Sequence, residues 1–304
     1  MKKVLVIGSL NIDRVVSVES IPKVGQTVIG TDLKNYFGGK GANQAVTLAR
    51  LEGNVSMLGM IGDDKEGLQF KEVLEREGVK TDCILTKEGV ETGFALIEID
   101  KNADNAITVV PGANQYLTIE DIESNIDILK GSDIILLQLE IPLAVVEHVI
   151  KRAKEFNKYI ILNPAPAAKI SEDILKAVDI ITPNETELEV LTGMEIKTEA
   201  DIITSAKKLL RKGLKQIIVT LGEAGALYIS NSLCHKFEAH RVNAIDPTGA
   251  GDCFNGALTF MLANDKSMNE SIEFAMSAAA LSVTKSGAIN SLPSLTEVNN
   301  FIKH

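Results

Sequence analysis

The sequence predicts an α/β fold with a small second sheet acting as a lid. Apolar runs of strand length alternate with segments of helical period, as at Lys3 to Gly8, Asp133 to Leu139 and Val178 to Thr182. Two strand-like pairs interrupt that alternation, Val15 to Ser20 with Gln26 to Thr31, and Thr92 to Asp100 with Asn105 to Val110. Length sets the scale: 304 residues, 45% of them hydrophobic, make one large core and a small appendage. A single domain over residues 1–304 is expected, with lid segments at approximately 13–37 and 91–111.

Composition excludes several function classes. A net charge of −10 argues against non-specific nucleic-acid binding. The N-terminal apolar run is too short for a signal peptide, and no later run reaches the length of a membrane span. Cys83, Cys234 and Cys253 show no Cys-x-x-Cys spacing, so reduced thiols and a cytoplasmic location are expected. His148, His235, His240 and His304 lack metal-ligand spacing, which argues against a zinc enzyme.

Val4, Leu5, Val6 and Ile7 are continuous, as in a buried parallel strand, and Ser9-Leu-Asn-Ile-Asp13 follows at its carboxyl end, where open α/β sheets bind ligands. In an extended chain Asn11 and Asp13 point to the same side and suit sugar hydroxyls; an Asx turn is the alternative. In Phe37-Gly-Gly-Lys-Gly-Ala-Asn-Gln-Ala-Val46, Gly38, Gly39 and Gly41 permit close main-chain approach. Lys40 and Asn43 stand there at the entrance of a small-residue helix, Ala42 to Leu51, and together favour a binding loop over a flexible one. Asn54 to Gly62 reads as a strand, and Asp63 and Asp64 place charge at the start of the helix ending at Glu77, a better reading than metal ligands.

Thr118-Ile-Glu-Asp121 is a capping-box variant, and Glu140 stands at the carboxyl end of the strand Asp133 to Leu139. A helix from Leu143 to Asn157 leads to the strand Tyr159 to Leu162, ending in Asn163-Pro-Ala-Pro166. After Val178 to Thr182, Asn184 and Glu187 share one face of an emerging helix. They either hold phosphate oxygens and hydrated Mg²⁺ or form a plain N-cap with an acid at its third position. Thr198-Glu-Ala-Asp201 caps the helix reaching Lys212. The strands Gln216 to Thr220 and Ala226 to Ile229 flank Thr220, Gly222 and Gly225, either a second small-residue ligand loop or a β-turn. Helices close the chain near Ala250–Asn264, Met268–Lys285 and Ser294–Ile302, with Ser286-Gly287 breaking the second.

Asn243-Ala-Ile-Asp-Pro-Thr-Gly-Ala-Gly-Asp-Cys-Phe-Asn-Gly-Ala-Leu258 carries the chemistry. Small residues before a helix expose main-chain amides, and the helix terminus adds partial positive charge, which suits a phosphate. A carboxylate there, Asp252, is repelled by phosphate. Its presence makes sense if it faces an incoming hydroxyl and takes its proton during phosphoryl transfer; capping the helix is the alternative. Two familiar phosphate loops are excluded. Lys34 stands where a Walker loop needs its first glycine, and Phe254 stands where a dinucleotide fingerprint needs its third.

Four signatures now stand in order: Asn11-Ile-Asp13, Gly38-Gly-Lys-Gly-Ala-Asn43, Asn184-Glu-Thr-Glu187 and Asp246-Pro-Thr-Gly-Ala-Gly-Asp252. Together they resemble the ribokinase-like carbohydrate kinase family from Met1 to about Leu292. The resemblance implies a three-layer α/β/α sandwich with a mostly parallel central sheet, a β lid that closes on sugar, and a homodimer through that lid. It implies an ATP-dependent sugar kinase, and the N-terminal pair points within the family to the 5-hydroxyl of ribose. By that likeness Asn11, Asp13, Gly39, Lys40, Asn43 and Glu140 contact the sugar and Asp252 is the base. Gly249, Ala250 and Gly251 form the anion hole, Asn184 lies near the ATP phosphates, and Glu187 lies near Mg²⁺, acting through water. Thr220, Gly222, Gly225, Gly251 and Met276 line the nucleotide site. An activating K⁺ takes Asp246, Thr248, Ser282, Lys285, Gly287 and Ser291, several through main-chain oxygens. Pro247 and Met276 depart from the family's pattern, at the cation loop and the adenine contact. Deoxyribose, fructose, adenosine and pseudouridine are alternative acceptors, and a non-catalytic sugar sensor is the alternative of another class.

Overall fold

The computed structural model describes residues 1–102 and 104–303. Ala103, in the turn expected between the second pair of lid strands, and His304 lie outside the described residues. The chain opens with strands β1 (Val4–Ile7), β2 (Asn11–Ser17) and β3 (Asp32–Gly38), then helix α1 (Lys40–Arg50), β4 (Val55–Gly62), α2 (Lys65–Arg76) and β5 (Lys80–Lys87). There follow β6 (Gly93–Ile99), β7 (Asn105–Val110), α3 (Ile119–Ser124), α4 (Ile126–Gly131), β8 (Ile134–Leu137), α5 (Leu143–Glu155), β9 (Tyr159–Leu162) and α6 (Glu172–Ala177). The rest is β10 (Ile180–Ile181), α7 (Glu185–Thr192), α8 (Glu199–Arg211), β11 (Gln216–Thr220), β12 (Ala226–Ser230), β13 (Cys234–Phe237), α9 (Ala250–Ala263), α10 (Met268–Ser282), α11 (Ala288–Ser291) and α12 (Leu295–Ile302).

Nine strands form one sheet in the order β13-β12-β11-β10-β9-β8-β1-β4-β5. It is parallel from β11 to β5 and antiparallel at β12 and β13. Alternate residues of each central strand enter two separate cores. Val4, Val6, Ile134 and Leu136 pack with α1, α9 and α10, while Leu5, Ile7, Ile135 and Leu137 pack with α5, α6 and α8. Burial on both faces is what makes these strands read as unbroken apolar runs. The expected three layers are therefore present.

Order reverses between β1 and β8, because the chain winds outward through β4 and β5 before returning to β8. A crevice opens at such a switch, outside the carboxyl ends of the strands. The residues that follow those two strands, Ser9 to Asp13 and Gln138 to Glu140, meet there.

The second sheet has the order β3-β2-β6-β7, with β2 pairing antiparallel to β3 and parallel to β6. Its boundaries correct the sequence reading in two places. The strand expected at Gln26 to Thr31 is absent, and the chain pairs at Asp32–Gly38 instead, in a register that sets Asn11 against Gly38 and Ser17 against Asp32. The strand expected from Val15 starts at Asn11, so the Asx-turn reading of Asn11–Asp13 is set aside.

Helix ends follow the expected chemistry. Thr118 and Thr198 each form a reciprocal capping box with the aspartate three residues on. Asp64 caps α2 through the Gly67 amide at 2.6 Å, as the charge-at-the-terminus reading expects. Helices α1 and α9 pack closely because Gly256 of α9 faces Thr47. A Cβ there would come 2.5 Å from the Thr47 Cβ and 2.9 Å from the Gln44 carbonyl oxygen.

The Gly256→Ala substitution is therefore expected to push α9 off α1, at a cost of about 1–3 kcal/mol, typical of overpacking. Calorimetric Tm and kcat measured together check this, and both should fall, since Asn43, Gln44 and Asp252 lie along that contact.

Candidate active site

Asp252 lies in the first turn of α9, 6% exposed, on the side that faces α1. Among the described residues its carboxylate accepts from no helix amide. Instead Asn43 Nδ2 donates to Oδ2 at 2.9 Å and Gln44 Nε2 donates to Oδ1 at 3.0 Å. Two neutral amides thus hold a buried carboxylate, which removes the helix-cap alternative for this residue.

The preceding backbone is open to a ligand. Among the described residues the amides of Gly249, Gly251 and Asp252 donate to no protein acceptor, while Ala250 N–H turns back to Pro247 O at 3.2 Å. A Cβ at Gly251 would meet nothing within 4 Å. Gly249 and Gly251, two of the three residues expected to form an anion hole, thus leave their amides open, while the Ala250 amide is engaged in its own turn.

Glu140 joins the site's walls. Its Oε2 accepts from Ser9 Oγ at 2.5 Å, from the Lys40 amide at 3.1 Å and from Asn11 Nδ2 at 3.4 Å, tying the exit of β1 to the start of α1. The approach is close enough that a Cβ on Gly41 would sit 2.6 Å from the Gly8 carbonyl carbon, so only glycine fits. Asn11 is held from its other side by Asn114, whose Nδ2 donates to Asn11 Oδ1 at 2.8 Å. Asn114 also accepts from the Leu10 amide at 2.9 Å. Asn43 Oδ1 is buried without a partner among the described residues, an acceptor left for a ligand's hydroxyl.

Charge converges on one point. Asp13 is 9% exposed; burial first, then the Glu140 and Asp252 carboxylates, push its carboxyl from 3.8 up to about 7, with Lys40 pulling the other way. Burial works against the Lys40 ammonium, yet Asp252, Glu140, Glu187 and Asp13 outweigh it and hold the amine above its usual range. Burial also raises the Glu187 carboxyl, against the Asn184 amide and Lys40 and assisted by Asp252. Lys40 therefore sits in the field of four carboxylates, from β2, α7, α9 and the loop after β8.

Asn184 and Glu187 form the reciprocal cap of α7, each accepting from the other's amide at 2.8 and 2.9 Å. Asn184 also bridges to Thr220, which draws the start of α7 to the end of β11. Gly222 and Gly225 follow in a tight turn in which Leu221 N–H donates to Gly225 O at 2.8 Å. Met276 is 8% exposed and lines a groove with Phe237, His240 and Ser277, and the Phe237 carbonyl also lies against Gly225.

The second loop pair also meets. Asp246 accepts from the Thr248 and Gly287 amides at 2.9 Å each. Burial alone would raise its carboxyl, but those amides hold it below the ordinary carboxylate range. Ser282 and Ser291 are buried nearby in sequence to Gly287, and Lys285 N–H donates to Ser282 O. The Lys285 ammonium turns outward to Glu297 at 2.7 Å, leaving only its main chain for the loop.

Gln44, Asn114, Gln138 and Asn163 were not singled out in the sequence, although the rule that found Glu140 reaches two of them. Gln138 and Asn163 are the polar residues ending β8 and β9.

Comparison with known proteins accounts for this geometry. A model of the pfkB family carbohydrate kinases matches residues 1–295. The chain belongs to that family. Among curated pfkB-type relatives, the ribokinase of Haemophilus influenzae is 40% identical over 305 residues, covering 100% of both chains. The deoxyribokinase of Salmonella typhi is 38% identical over 300 residues, covering 98% of each. Among solved structures, Thermotoga maritima ribokinase superposes with a TM-score of 0.92 at 38% identity, covering 100% of both chains. Arabidopsis thaliana ribokinase complexed with ribose and ATP superposes with a TM-score of 0.92 at 32% identity, covering 100% of this chain and 99% of that one.

Asp13 gives this family member a pH signature. Its folded pKa lies above the unfolded value, so between about 4 and 7 the folded state binds more protons and ionisation costs stability as pH rises. Asp13→Asn should match the parent's stability at pH 4 and exceed it at pH 8, by at most about 4 kcal/mol of unfolding free energy for a shift of this size, with a correspondingly higher Tm. Thermal melts across that range decide it, and an equal Tm at pH 8 would contradict the assignment.

Proposed function

We propose that the protein transfers the γ-phosphoryl group of ATP to the 5-hydroxyl of D-ribose, giving ribose 5-phosphate. One observation carries the reading: a buried carboxylate, held by Asn43 and Gln44, stands beside free amides at a helix N-terminus. Asp252 orients the hydroxyl and takes its proton as the new O–P bond forms. Because the transition state is loose, that proton leaves late and a weak base suffices. The Gly249 and Gly251 amides absorb charge on the transferring group. Asn11, Asp13, Lys40 and Asn43 offer the donors and acceptors a small polyhydroxylated sugar requires, with Gly39 and Glu140 shaping the wall. The relatives named ribokinase, and the neighbour holding ribose and ATP, support this acceptor. The relative named deoxyribokinase supports 2-deoxyribose as the second reading.

The charge balance calls for a divalent cation. Four carboxylates surround one ammonium, and a polyphosphate entering that field is repelled. Glu187 spends one oxygen on the α7 cap and keeps the other free, and no cluster of three carboxylate, His or Cys ligands exists among the described residues. That donor set suits hydrated Mg²⁺ shared with the ATP phosphates. When bound, Mg²⁺ neutralises phosphate charge and aligns the γ-phosphoryl group. Asp246 fits K⁺: it is half-buried, ionised, and without a Lys or Arg partner among the described residues. Asp246, Thr248, Ser282, Lys285, Gly287 and Ser291 would hold K⁺ behind the anion hole.

The whole chain then acts as one kinase domain, with β2, β3, β6 and β7 as its lid. Leu33 and Leu96 on one face of the lid, and Ile107 and Val109 on the other, are exposed apolar residues, which supports pairing with a second copy. No helix among the described residues is long and apolar enough to cross a membrane, and the free cysteines agree with a reducing cytoplasm.

Asp252→Asn should lower kcat by at least ~10²-fold with little change in ribose or ATP affinity, the range for a general base. Steady-state kinetics with calorimetric binding check this, and an unchanged kcat removes the base. In an ATP-consumption panel ribose should exceed 2-deoxyribose, fructose, adenosine and pseudouridine in kcat/KM. Adding K⁺ to a Na⁺-free assay should raise kcat in the parent and not in Asp246→Ala.

A further inference from the structure

We infer that Gln44 and Gln138 form a polarised amide relay that positions the Asp252 carboxylate for proton transfer. The inference rests on the reading of Asp252 as the base. Gln138 Nε2 donates to Gln44 Oε1 at 2.6 Å, and Gln44 Nε2 donates to Asp252 Oδ1 at 3.0 Å. The same Gln44 nitrogen donates to Asn163 Oδ1 at 3.1 Å, and Asn163 Nδ2 continues to Thr182 O at 3.3 Å. Gln44 and Gln138 are fully buried, on α1 and just beyond β8.

The direction of this chain follows from the carboxylate. An ionised aspartate only accepts, so Gln44 must present its NH₂ to Asp252. Its oxygen then faces Gln138, which must present an NH₂ in turn. The consequence appears at the far end: Gln138 Oε1 is buried with no partner among the described residues. It lies in space that the bare α-carbon of Gly8 leaves open, where a Cβ would collide with it. Turning the Gln138 amide over would release that oxygen only by setting it against Gln44 Oε1. The orphaned acceptor marks a network satisfied from the carboxylate outward.

Asn43 and Gln44 are consecutive on α1, and each holds one Asp252 oxygen. The carboxylate is gripped at both oxygens and cannot rotate without losing a bond. Its remaining lone pairs are left without a protein donor among the described residues. The charged groups around it are Asp13, Lys40, Glu140 and Glu187, none in direct hydrogen bond with it among the described residues. Orientation thus falls to the amides, and Gln44 is a positioning residue whose own orientation Gln138 sets.

The test is a double-mutant cycle on the full-length protein with ribose, ATP and Mg²⁺. Gln44→Met, which keeps length and loses both amide groups, should lower kcat about 10-fold or more with both KM values within about 3-fold. Gln138→Leu should give a smaller loss, since Asn43 and Gln44 still donate to Asp252. In an Asp252→Asn background, read by single-turnover product formation, Gln44→Met should cost less than about 2-fold more, because its effect passes through the base. Additive losses, or a raised KM with kcat unchanged, would overturn the relay while leaving the base in place. Full activity of Asp252→Asn alone would overturn the base reading itself. If Gln44→Met fails to fold, the same cycle with Gln138→Leu decides the question by the same criteria.

Discussion

A buried carboxylate with no Lys, Arg or His in contact among the described residues is the constraint around which this molecule is arranged. Asp252 keeps its place because two side-chain amides from α1 replace the water it has lost. That demand fixes how closely α1 and α9 approach, and the approach explains Gly256, which leaves room for Thr47. It also requires α1 to begin against the exit of β1, where Gly41 meets Gly8. A backbone built for intimacy at these contacts puts Asn43, Gln44 and Lys40 over the topological switch of the sheet.

Electrostatics then divides the labour. Lys40 stands in the field of Asp13, Glu140, Glu187 and Asp252, so the site holds more negative than positive charge before any substrate arrives. A neutral sugar enters such a site without penalty and meets acceptors for its hydroxyls. A polyphosphate does not, and needs its own counter-ions together with the free amides at the start of α9. Acceptor and donor therefore suit opposite ends of one crevice. Glu140 braces the walls with one oxygen, which collects Ser9, Asn11 and Lys40.

Much of this was legible in the sequence because its signals are local. Continuous apolar strands, capping residues and glycines ahead of helices report on their immediate neighbourhood. The strands that escaped, β3, β5 and β13, are all sheet edges. An edge strand keeps one side in water and carries charged and polar residues, as in Asp32-Leu-Lys-Asn and Lys80-Thr-Asp-Cys, so its apolar pattern is broken. Partner register, absent from any local pattern, selected Asp32–Gly38 over Gln26 to Thr31. The amides were missed for a related reason. Gln44, Asn114, Gln138 and Asn163 are ordinary polar residues in sequence, and only long-range pairing shows that they hold Asn11 and Asp252. The four signatures include Asn43, which holds Asp252, and stop short of Gln44, Asn114, Gln138 and Asn163.

The central claim is a placement, so a ternary complex with ribose and a non-hydrolysable ATP analogue tests it most directly. The account predicts the sugar's 5-hydroxyl about 2.6–3.2 Å from an Asp252 oxygen, in line with the terminal phosphorus, with Asn43 and Gln44 still donating to the carboxylate. A sugar seated with that hydroxyl turned away from Asp252, or phosphate contacting the carboxylate in its place, would contradict it.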